Sequence, residues 1–248
     1  MLGGMLGSGT PFLTARWLDL GLVTWQIPAE VLRPHLPPGL EPDRLATDPE
    51  GVAYVSFVAF RFLDTKVKGI AVPLHTDFPE VNLRAYVRET TGQRRRGVTF
   101  IAELVPKPAI AMVANLLYHE HYRAVTMDCN VDEVGEFRRM RVNIELGERT
   151  HAMTLLGHRA PVMPAAESTE HFFKEHEWGF GRDGDGELVV YRVHHPQWQV
   201  YPTSLDRLEL AVDFGELYGE PWGVLDQLAP VHVAFAVGSE IAVYGREQ

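Results

Sequence analysis

The sequence has a single cysteine, Cys129, among 248 residues, so an intramolecular disulfide is excluded. A chain without disulfides is typical of a reducing compartment, and we expect a cytoplasmic protein. No run of about 18 apolar residues is present, and therefore no membrane-spanning helix is predicted. The opening residues also lack the basic start and the continuous apolar stretch of a signal peptide.

Positive charge is scarce in this chain. Lysine and arginine total 23 against 33 acidic residues, which gives a formal net charge of −10. Nucleic acids and anionic membranes require a basic surface, so neither is expected as a partner. The short basic run at 94–96 follows Thr91 and Gly92, and this context is typical of a solvated hairpin turn rather than a phosphate-binding patch.

Several catalytic and cofactor signatures are missing. The sequence has no G-x-S-x-G elbow of a serine hydrolase and no G-x-x-x-x-G-K-[ST] phosphate-binding loop. It also has no C-x-x-C pair, so a zinc ribbon is excluded. No cofactor is therefore predicted.

Eleven histidines invite a test for a metal site. His119 and His121 would share one side of a strand, but a metal barrel of the cupin type needs further ligands where Ala124 and Val125 stand. The adjacent pair at 194–195 would point to opposite faces of a strand. Ordinary hydrogen-bonded histidines are favoured over ligands, and no metal site is predicted.

The most informative stretch is FPEVNLRAYVR at 78–88, which alternates strictly. An apolar series, Val81, Leu83, Ala85 and Val87, falls on one side of an extended strand. The other side carries a polar series: Glu80, Asn82, Arg84, Tyr86 and Arg88. Either the polar side borders a pocket, or it is a solvated face whose charges pair with a neighbouring strand. We favour the pocket, because the amide and the phenol add directional hydrogen-bonding groups to the same side.

Other segments predict a β-rich α+β chain, mainly antiparallel, forming one domain over 1–248 with flexible residues at 1–10. Further strands are predicted at 52–62, 97–104, 123–130, 137–146, 188–195, 205–213 and 231–244. Helices are predicted at 29–36, 109–118 and 167–178, with Ser168 as an N-cap. The segment 109–118 is apolar on all sides, which predicts a buried helix. The Asp-Gly pairs at 182–186 predict a hairpin turn, since the remaining ligands of a calcium loop are absent.

Lys107 is the candidate nucleophile. A lysine desolvated in an apolar pocket loses its proton and can form a Schiff base with a carbonyl compound. Lys107 stands between Pro106 and Pro108 at the start of a helix, a position typical of a surface corner. A solvated ammonium is the favoured interpretation.

Four blocks together resemble a known family. They are FPEVNLRAYVR, RRGVTFIAELVPKPAIAMVANLLYHEHYRAVTM, STEHFFKEHEWGF and HHPQW, and with the opening WLDLGLVTWQIPAEVLRPHLPPGL they span nearly the whole chain. They resemble the YqjF-like bacterial family, domain of unknown function 2071. That family is similar in architecture to acetoacetate decarboxylase, which implies a cone-shaped antiparallel β-barrel with a small pocket and a helix packed on it.

The resemblance implies that Glu80 is the acid of the pocket. In the decarboxylases a lysine after the small-residue helix forms the Schiff base, but here that helix is followed by HEHYR at 119–123. Arg123 stays protonated and cannot act as an amine nucleophile, and Tyr122 cannot form an imine. The resemblance therefore implies a shared fold and pocket without the covalent chemistry.

Three function classes remain open. The first is a pocket for a small polar or carboxylate-bearing molecule, bound by Asn82, Arg84, Tyr86, Tyr122 and Arg123. The second is a cofactor-independent lyase or decarboxylase that uses Glu80 as its acid or base. The third is a structural or protein-binding module, or a homodimer, for which the tryptophans Trp178, Trp198 and Trp222 are the only hint.

Overall fold

The computed structural model describes residues 9–111 and 121–245. Residues 1–8, on which most of the predicted flexible terminus falls, lie outside the described part. The described residues form thirteen strands and a few short helices. The strands are β1 Leu13–Pro28, β2 Leu40–Pro42, β3 Val52–Val67, β4 Phe78–Glu89, β5 Arg96–Val105, β6 Tyr122–Ala124, β7 Thr126–Val134, β8 Phe137–Leu146, β9 Arg149–His158, β10 Trp178–Arg182, β11 Leu188–His194, β12 Leu208–Ala211 and β13 His232–Val243.

The large sheet contains a cycle of seven paired strands. The pairing runs from β4 through β3, β1, β13, β11, β10 and β5, and it returns to β4. Every pair in the cycle is antiparallel except β5 with β10. The two long strands β1 and β3 are paired from Leu13 with Val67 to Pro28 with Val52.

Strand β1 was not predicted, and its backbone shows why. Its register with β3 shifts between Leu18 and Gly21, at a bulge that contains Asp19 with φ of 57°. A bulge breaks the alternation by which strands are recognised in a sequence. Asp19 is buried, and its carboxylate is hydrogen-bonded to Arg61 of β3 and to Nε of Arg138 of β8. This ion-pair network joins the two sheets at the bulge.

The second sheet has the order β12-β9-β8-β7 and packs against one face of the large sheet. Apolar side chains of β8 and β9 pack there, including Met140 and Met153. The two sheets approach closely at Gly21, because a Cβ at that position would lie 3.1 Å from Cε of Met153. Strand β9 was not predicted, whereas the strand predicted at 137–146 is confirmed as β8.

The strand predicted at 123–130 is wrong as a single element. Residues 122–124 pair in parallel with β5 of the large sheet, while Thr126–Val134 pairs with β8 of the second sheet. The chain crosses between sheets at Val125. A single predicted strand therefore contributes residues to two different sheets, and no local sequence pattern shows this division.

The predicted helices are shorter than expected. The first is Ala29–Leu32, continued by a 3-10 turn at Arg33–His35. The third is Thr169–Lys174, whose predicted N-cap Ser168 accepts a hydrogen bond from His171 N at 3.2 Å. Its predicted end at 178 is wrong, because Trp178 begins β10.

Other predicted elements are present in the structure with different boundaries. The hairpin turn predicted at 182–186 joins β10 to β11, with φ of 85° at Gly186. The strand predicted at 205–213 is reduced to Leu208–Ala211 after a 3-10 turn at Leu205–Arg207. Of the helix predicted at 109–118, residues 108–111 are helical, and the rest lies outside the described residues.

Candidate functional site

The polar side of β4 borders a cavity of about 240 Å³. Four alternate residues of the strand line it: Phe78, Glu80, Asn82 and Arg84. The intervening apolar residues belong to the core cluster shared with the second sheet. The alternation read from the sequence therefore separates the cavity side of β4 from its core side.

Glu80 is the centre of a hydrogen-bonded group. Its side chain is buried, Oε1 accepts from Nδ2 of Asn82 at 3.0 Å, and Oε2 accepts from Oη of Tyr122 at 3.2 Å. Tyr122 also lines the cavity, on the short strand β6. Two donors to one carboxylate stabilise its ionised form, whereas burial opposes it.

Asn82 has unused hydrogen-bonding capacity. It is 2% exposed and lines the cavity, and its Oδ1 has no hydrogen-bond partner among the described residues. A buried acceptor without a donor costs on the order of 1–3 kcal/mol. Such atoms in native structures point to an additional partner, a strained arrangement or a functional role.

Arg84 is the cation of the cavity wall. Its Nη2 donates to the carbonyl of Phe173 at 3.0 Å, and its guanidinium lies 5.6 Å from the ring centre of Tyr86. Its Nε is buried and has no hydrogen-bond partner within the described part of the chain. The carbonyl of Phe173, in the helix Thr169–Lys174, fixes one edge of the guanidinium and leaves other N–H groups for a ligand.

Glu103 is a cavity residue that the sequence analysis missed. It is 2% exposed, and it lies opposite Asn82 in the β4–β5 pairing. The register shifts after Leu83, which pairs with Ala102, so that Arg84 pairs with Phe100. The extra residue places both Phe100 and Glu103 on the cavity wall, although strict alternation puts them on opposite sides. The one sign of this site residue in the sequence is that Glu103 is acidic although it lies within a mostly apolar strand.

Tyr86 and Arg123, both predicted to bind ligand, do not line the cavity. Tyr86 is fully buried, with its Oη hydrogen-bonded to Ser56 Oγ at 2.7 Å and donating to Phe173 O at 3.2 Å. Arg123 is exposed, and its Nη1 donates to the carbonyl of Leu217 at 2.5 Å. Tyr86 therefore supports the helix that holds Arg84, while Arg123 anchors the helix Phe214–Tyr218.

Lys107 does not line the cavity either. Its Nζ donates to the carbonyls of Leu74 and Asp77, the latter at 3.0 Å. These carbonyls belong to the loop between β3 and β4, whose Val72 and His75 line the cavity. Val72 is 47% exposed, so the cavity reaches the surface beside this loop. Lys107 thus ties down the loop at the cavity mouth.

Aromatic side chains form the end of the cavity near this mouth. Phe62 stacks on Phe78 with ring centres 4.7 Å apart, and Trp17 packs edge-on against Phe60 at 5.2 Å. All four line the cavity. The cavity therefore has an aromatic end and a polar end.

Two buried histidines interact electrostatically with Arg84 but do not line the cavity. Burial, reinforced by the positive charges of Arg84 and Arg96, lowers the pKa of His176 well below its ordinary value. Burial also lowers the pKa of His195, which stacks on Trp198 with ring centres 4.1 Å apart. Within residues 9–111 and 121–245, no group of three or more His, Cys, Asp or Glu residues is placed to hold a metal ion. His119, part of the sequence pattern tested for metal binding, lies outside these ranges.

The tryptophans offered as hints of a protein-binding surface are mainly structural. Trp198 and Trp222 are each 2% exposed. Trp178 is half-buried, with the guanidinium of Arg95 4.8 Å from its ring centre. None of the three gives an exposed aromatic surface. No helix in the described ranges has both the length and the apolar character that crossing a membrane requires.

Solved structures with the same fold are acetoacetate decarboxylase-like proteins. An acetoacetate decarboxylase-like enzyme from Sphingomonas wittichii RW1 superposes with a TM-score of 0.63 at 14% identity, covering 97% of this chain and 94% of that one. The enduracididine biosynthesis enzyme MppR, complexed with pyruvate, gives 0.62 at 15% identity, covering 99% and 92%. Acetoacetate decarboxylase from Legionella pneumophila subsp. pneumophila str. Philadelphia 1 gives 0.59 at 14% identity, covering 98% and 92%. The predicted fold class, mainly antiparallel β with acetoacetate decarboxylase-like architecture, is confirmed.

The sequence comparisons identify the family. A search of curated proteins finds no significant match. The family model DUF2071, described as an uncharacterized conserved protein, matches residues 14–239. This range is most of the chain and includes every residue of the site described above. The chain belongs to the DUF2071 family, as its sequence blocks predicted.

Proposed function

We propose that the seven-strand cycle is a barrel and that its cavity binds a small molecule carrying one carboxylate, without forming an imine. The observation that carries the proposal is Arg84, a guanidinium in the wall of an otherwise largely apolar cavity. Arg84 is half-buried and its Nε is buried, and burying part of a cation is costly unless a fixed partner or a ligand compensates its desolvation.

Arg84 suits a carboxylate by its geometry. One nitrogen is held by the carbonyl of Phe173, so the planar group is oriented before a ligand arrives. Guanidinium groups bind carboxylates through two parallel hydrogen bonds, and the unpartnered Nε is one of the donors such an arrangement uses. Oδ1 of Asn82 adds an acceptor for a hydroxyl or amine group of the same ligand.

The two glutamates limit the charge of the ligand. Glu80 and Glu103 are both buried in the cavity wall. Like charges that are close in a low-dielectric site repel strongly. A monocarboxylate with a neutral remainder therefore fits better than a dicarboxylate.

The lysines argue against imine chemistry. The chain has four, Lys66, Lys68, Lys107 and Lys174, and none lines the cavity. Lys107 holds loop carbonyls, and Lys174 is ion-paired with Glu175. The pyruvate complex of the structurally similar MppR supports a small carboxylate as the kind of ligand, independently of this argument.

Calorimetric titration tests the binding proposal. Pyruvate, acetoacetate and butanoate should bind the full chain more tightly than their neutral amides or esters, and more tightly than malonate. Arg84→Met should weaken carboxylate binding at least about tenfold, since a charge-assisted hydrogen bond contributes roughly 1.5–3 kcal/mol. Arg88→Met is the matched control, because Arg88 follows on the same strand but pairs with Glu41 outside the cavity. Equal binding by the two variants, or no carboxylate binding at all, contradicts the proposal.

Borohydride reduction in the presence of acetoacetate tests the imine separately. We expect no mass increase in the intact chain. A reduced adduct on any of the four lysines would overturn the non-covalent part of the proposal and leave the carboxylate site in place.

A second candidate function is a lyase that uses Glu80 as acid or base. The favouring observation is that Glu80 is held through both oxygens, by Asn82 and Tyr122, with Glu103 on the adjacent strand. Paired carboxyl groups in different environments can divide acid and base roles. If a keto acid is decarboxylated, Glu80→Gln should abolish carbon dioxide release while leaving carboxylate binding measurable. Undiminished release by the variant excludes this role.

A further inference from the structure

The cavity changes character along its length. On β3 and β4, Phe62 pairs with Phe78 and Phe60 pairs with Glu80. Two positions further, Asn82 pairs with Val58, and Arg84 follows. From Phe78 to Arg84 the strand advances by six residues, which is about 20 Å at the usual rise. A ligand held by Arg84 therefore has a second, aromatic region ahead of it in the same cavity.

The aromatic end is a continuous apolar surface. Phe62 contacts Phe60 at 5.3 Å and Phe78 at 4.7 Å between ring centres, and Trp17 contacts Phe62 at 5.6 Å. These rings belong to one core cluster, and all of them line the cavity. Their contacts hold the rings in place, so the surface is formed before a ligand binds.

The volume is larger than a short keto acid requires. A cavity of about 150 Å³ lined by apolar side chains accepts benzene. The present cavity of about 240 Å³ is larger and holds more than a single ring. A two- or four-carbon acid bound at Arg84 leaves the aromatic end without an occupant.

We propose that the ligand is an amphipathic monocarboxylic acid with a medium-length alkyl body, alone or ending in an aryl ring. The carboxylate lies at Arg84, and the body extends past Asn82 and Glu80 to the rings of the aromatic end, of which Phe60 pairs with Glu80. The assignment rests on the proposed carboxylate site and adds the class of molecule that fills it. Apolar burial then supplies most of the selectivity among acids, since each buried methylene contributes about three- to fourfold in affinity.

A chain-length series tests this assignment. The probes are propanoate, hexanoate, octanoate, decanoate, dodecanoate and 8-phenyloctanoate, titrated calorimetrically into the full chain. Affinity should rise by about threefold or more per methylene up to the ten- to twelve-carbon acids, and 8-phenyloctanoate should bind at least about thirtyfold more tightly than propanoate. Affinity that is independent of chain length, or strongest for the shortest acids, overturns the assignment.

Two variants locate the body of the ligand. Phe60→Leu removes a ring from the aromatic end, and it should weaken 8-phenyloctanoate about tenfold while changing propanoate less than about twofold. Phe137→Leu is the control, because Phe137 lies on β8 outside the cavity, with Arg207 over its ring. Equal effects of the two substitutions contradict the assignment. If Phe60→Leu fails to fold, Phe62→Leu provides the same comparison.

The failure of this inference and that of the proposed function give different results. Arg84→Lys keeps the charge and loses the paired donors, so it should weaken every acid in the series by a similar factor. Acids that depend on Arg84 but not on chain length refute the amphipathic ligand alone. Acids that bind without regard to Arg84 refute the carboxylate site itself.

Discussion

Asn82 donates its Nδ2 to Oε1 of Glu80 at 3.0 Å, from two positions further along the same face of β4. The pair is buried, with exposed fractions of 2% and 3%. The second sheet contains an exposed counterpart, since Asn130 donates to Oδ1 of Asp128 at 2.7 Å, also two positions apart on one strand. The two pairs have the same chemistry and differ in burial.

Asn82→Asp should destabilise the protein strongly at neutral pH. The substitution removes the hydrogen bond and places a second carboxylate beside Glu80, at an expected cost of about 3 kcal/mol in the free energy of unfolding. The loss should shrink at about pH 5, because one carboxyl group of a close buried pair takes up a proton. Urea unfolding at about pH 5 and about pH 7.5 measures both effects.

The control for this prediction is Asn130→Asp. In water the same repulsion is screened, and the expected cost is below about 1 kcal/mol. Equal costs at the two positions would mean that Glu80 is not in the low-dielectric environment described here.

Gly97→Ala should disrupt the pairing of β5 with β10. A Cβ at Gly97 would lie 2.2 Å from the carbonyl oxygen of Trp178, its partner in that pairing. Backbone atoms cannot yield as a flexible side chain does, so a destabilisation of about 2 kcal/mol or more is expected. Gly181→Ala on β10 is the control, because nothing lies within 4 Å of its added Cβ. Thermal unfolding separates the two, and similar melting temperatures for the two variants would contradict the described pairing.

Lys107→Ala should loosen the loop over the cavity mouth. Hydrogen bonds from a charged donor contribute roughly 1.5–3 kcal/mol, so amide exchange between Ile70 and Asp77 should accelerate by at least about tenfold. The tip of this loop is exposed, since Leu74 is 86% exposed and has φ of 67°. Lys66→Ala, an exposed change on β3, should leave exchange unaltered. Unchanged exchange in the Lys107 variant would remove its role as a tether.

Stability should fall as the pH drops below about 6.5. Burial and the neighbouring charges of Arg84 and Arg96 lower the pKa of His176, and burial lowers those of His195 and His232. Below the ordinary histidine pKa the unfolded chain therefore binds protons that the folded chain refuses, so protonation favours unfolding. Each such histidine contributes a slope of up to about 1.4 kcal/mol per pH unit, and stability is regained as the pH rises to neutrality.

Replacement of one histidine tests the assignment. His176→Gln should reduce the pH slope of the unfolding free energy, because one proton-binding difference is removed. His158→Gln, at a side chain that is 42% exposed, is the control and should leave the slope unchanged. An unaltered slope in the His176 variant would show that its imidazole is not kept neutral by the fold.

Part of the site was readable from local pattern. The alternation of 78–88 grouped Glu80, Asn82 and Arg84 on one side of a strand, and the structure places all three on the cavity wall. The N-cap at Ser168 is local as well, because the side chain and its backbone partner are three residues apart. Geometry within one strand or one helical turn depends only on neighbouring residues.

Other residues depended on partners far away in the chain. The β1 bulge at Asp19 is stabilised by Arg61 and Arg138, which lie on two other strands. The side on which Glu103 falls depends on the register shift between β4 and β5, and such a shift is invisible in the pattern of either strand.

By itself the sequence determined the order of polar and apolar faces along β4 and the absence of a lysine from residues 119–123. Tertiary structure decided that this polar face borders a cavity, that Arg123 turns away to Leu217, and that Glu103 joins Glu80. The physical reason is the distance along the chain over which each feature is determined. Side-chain alternation follows from backbone geometry between neighbouring residues, whereas cavities, strand registers and ion pairs arise when strands distant in the chain meet.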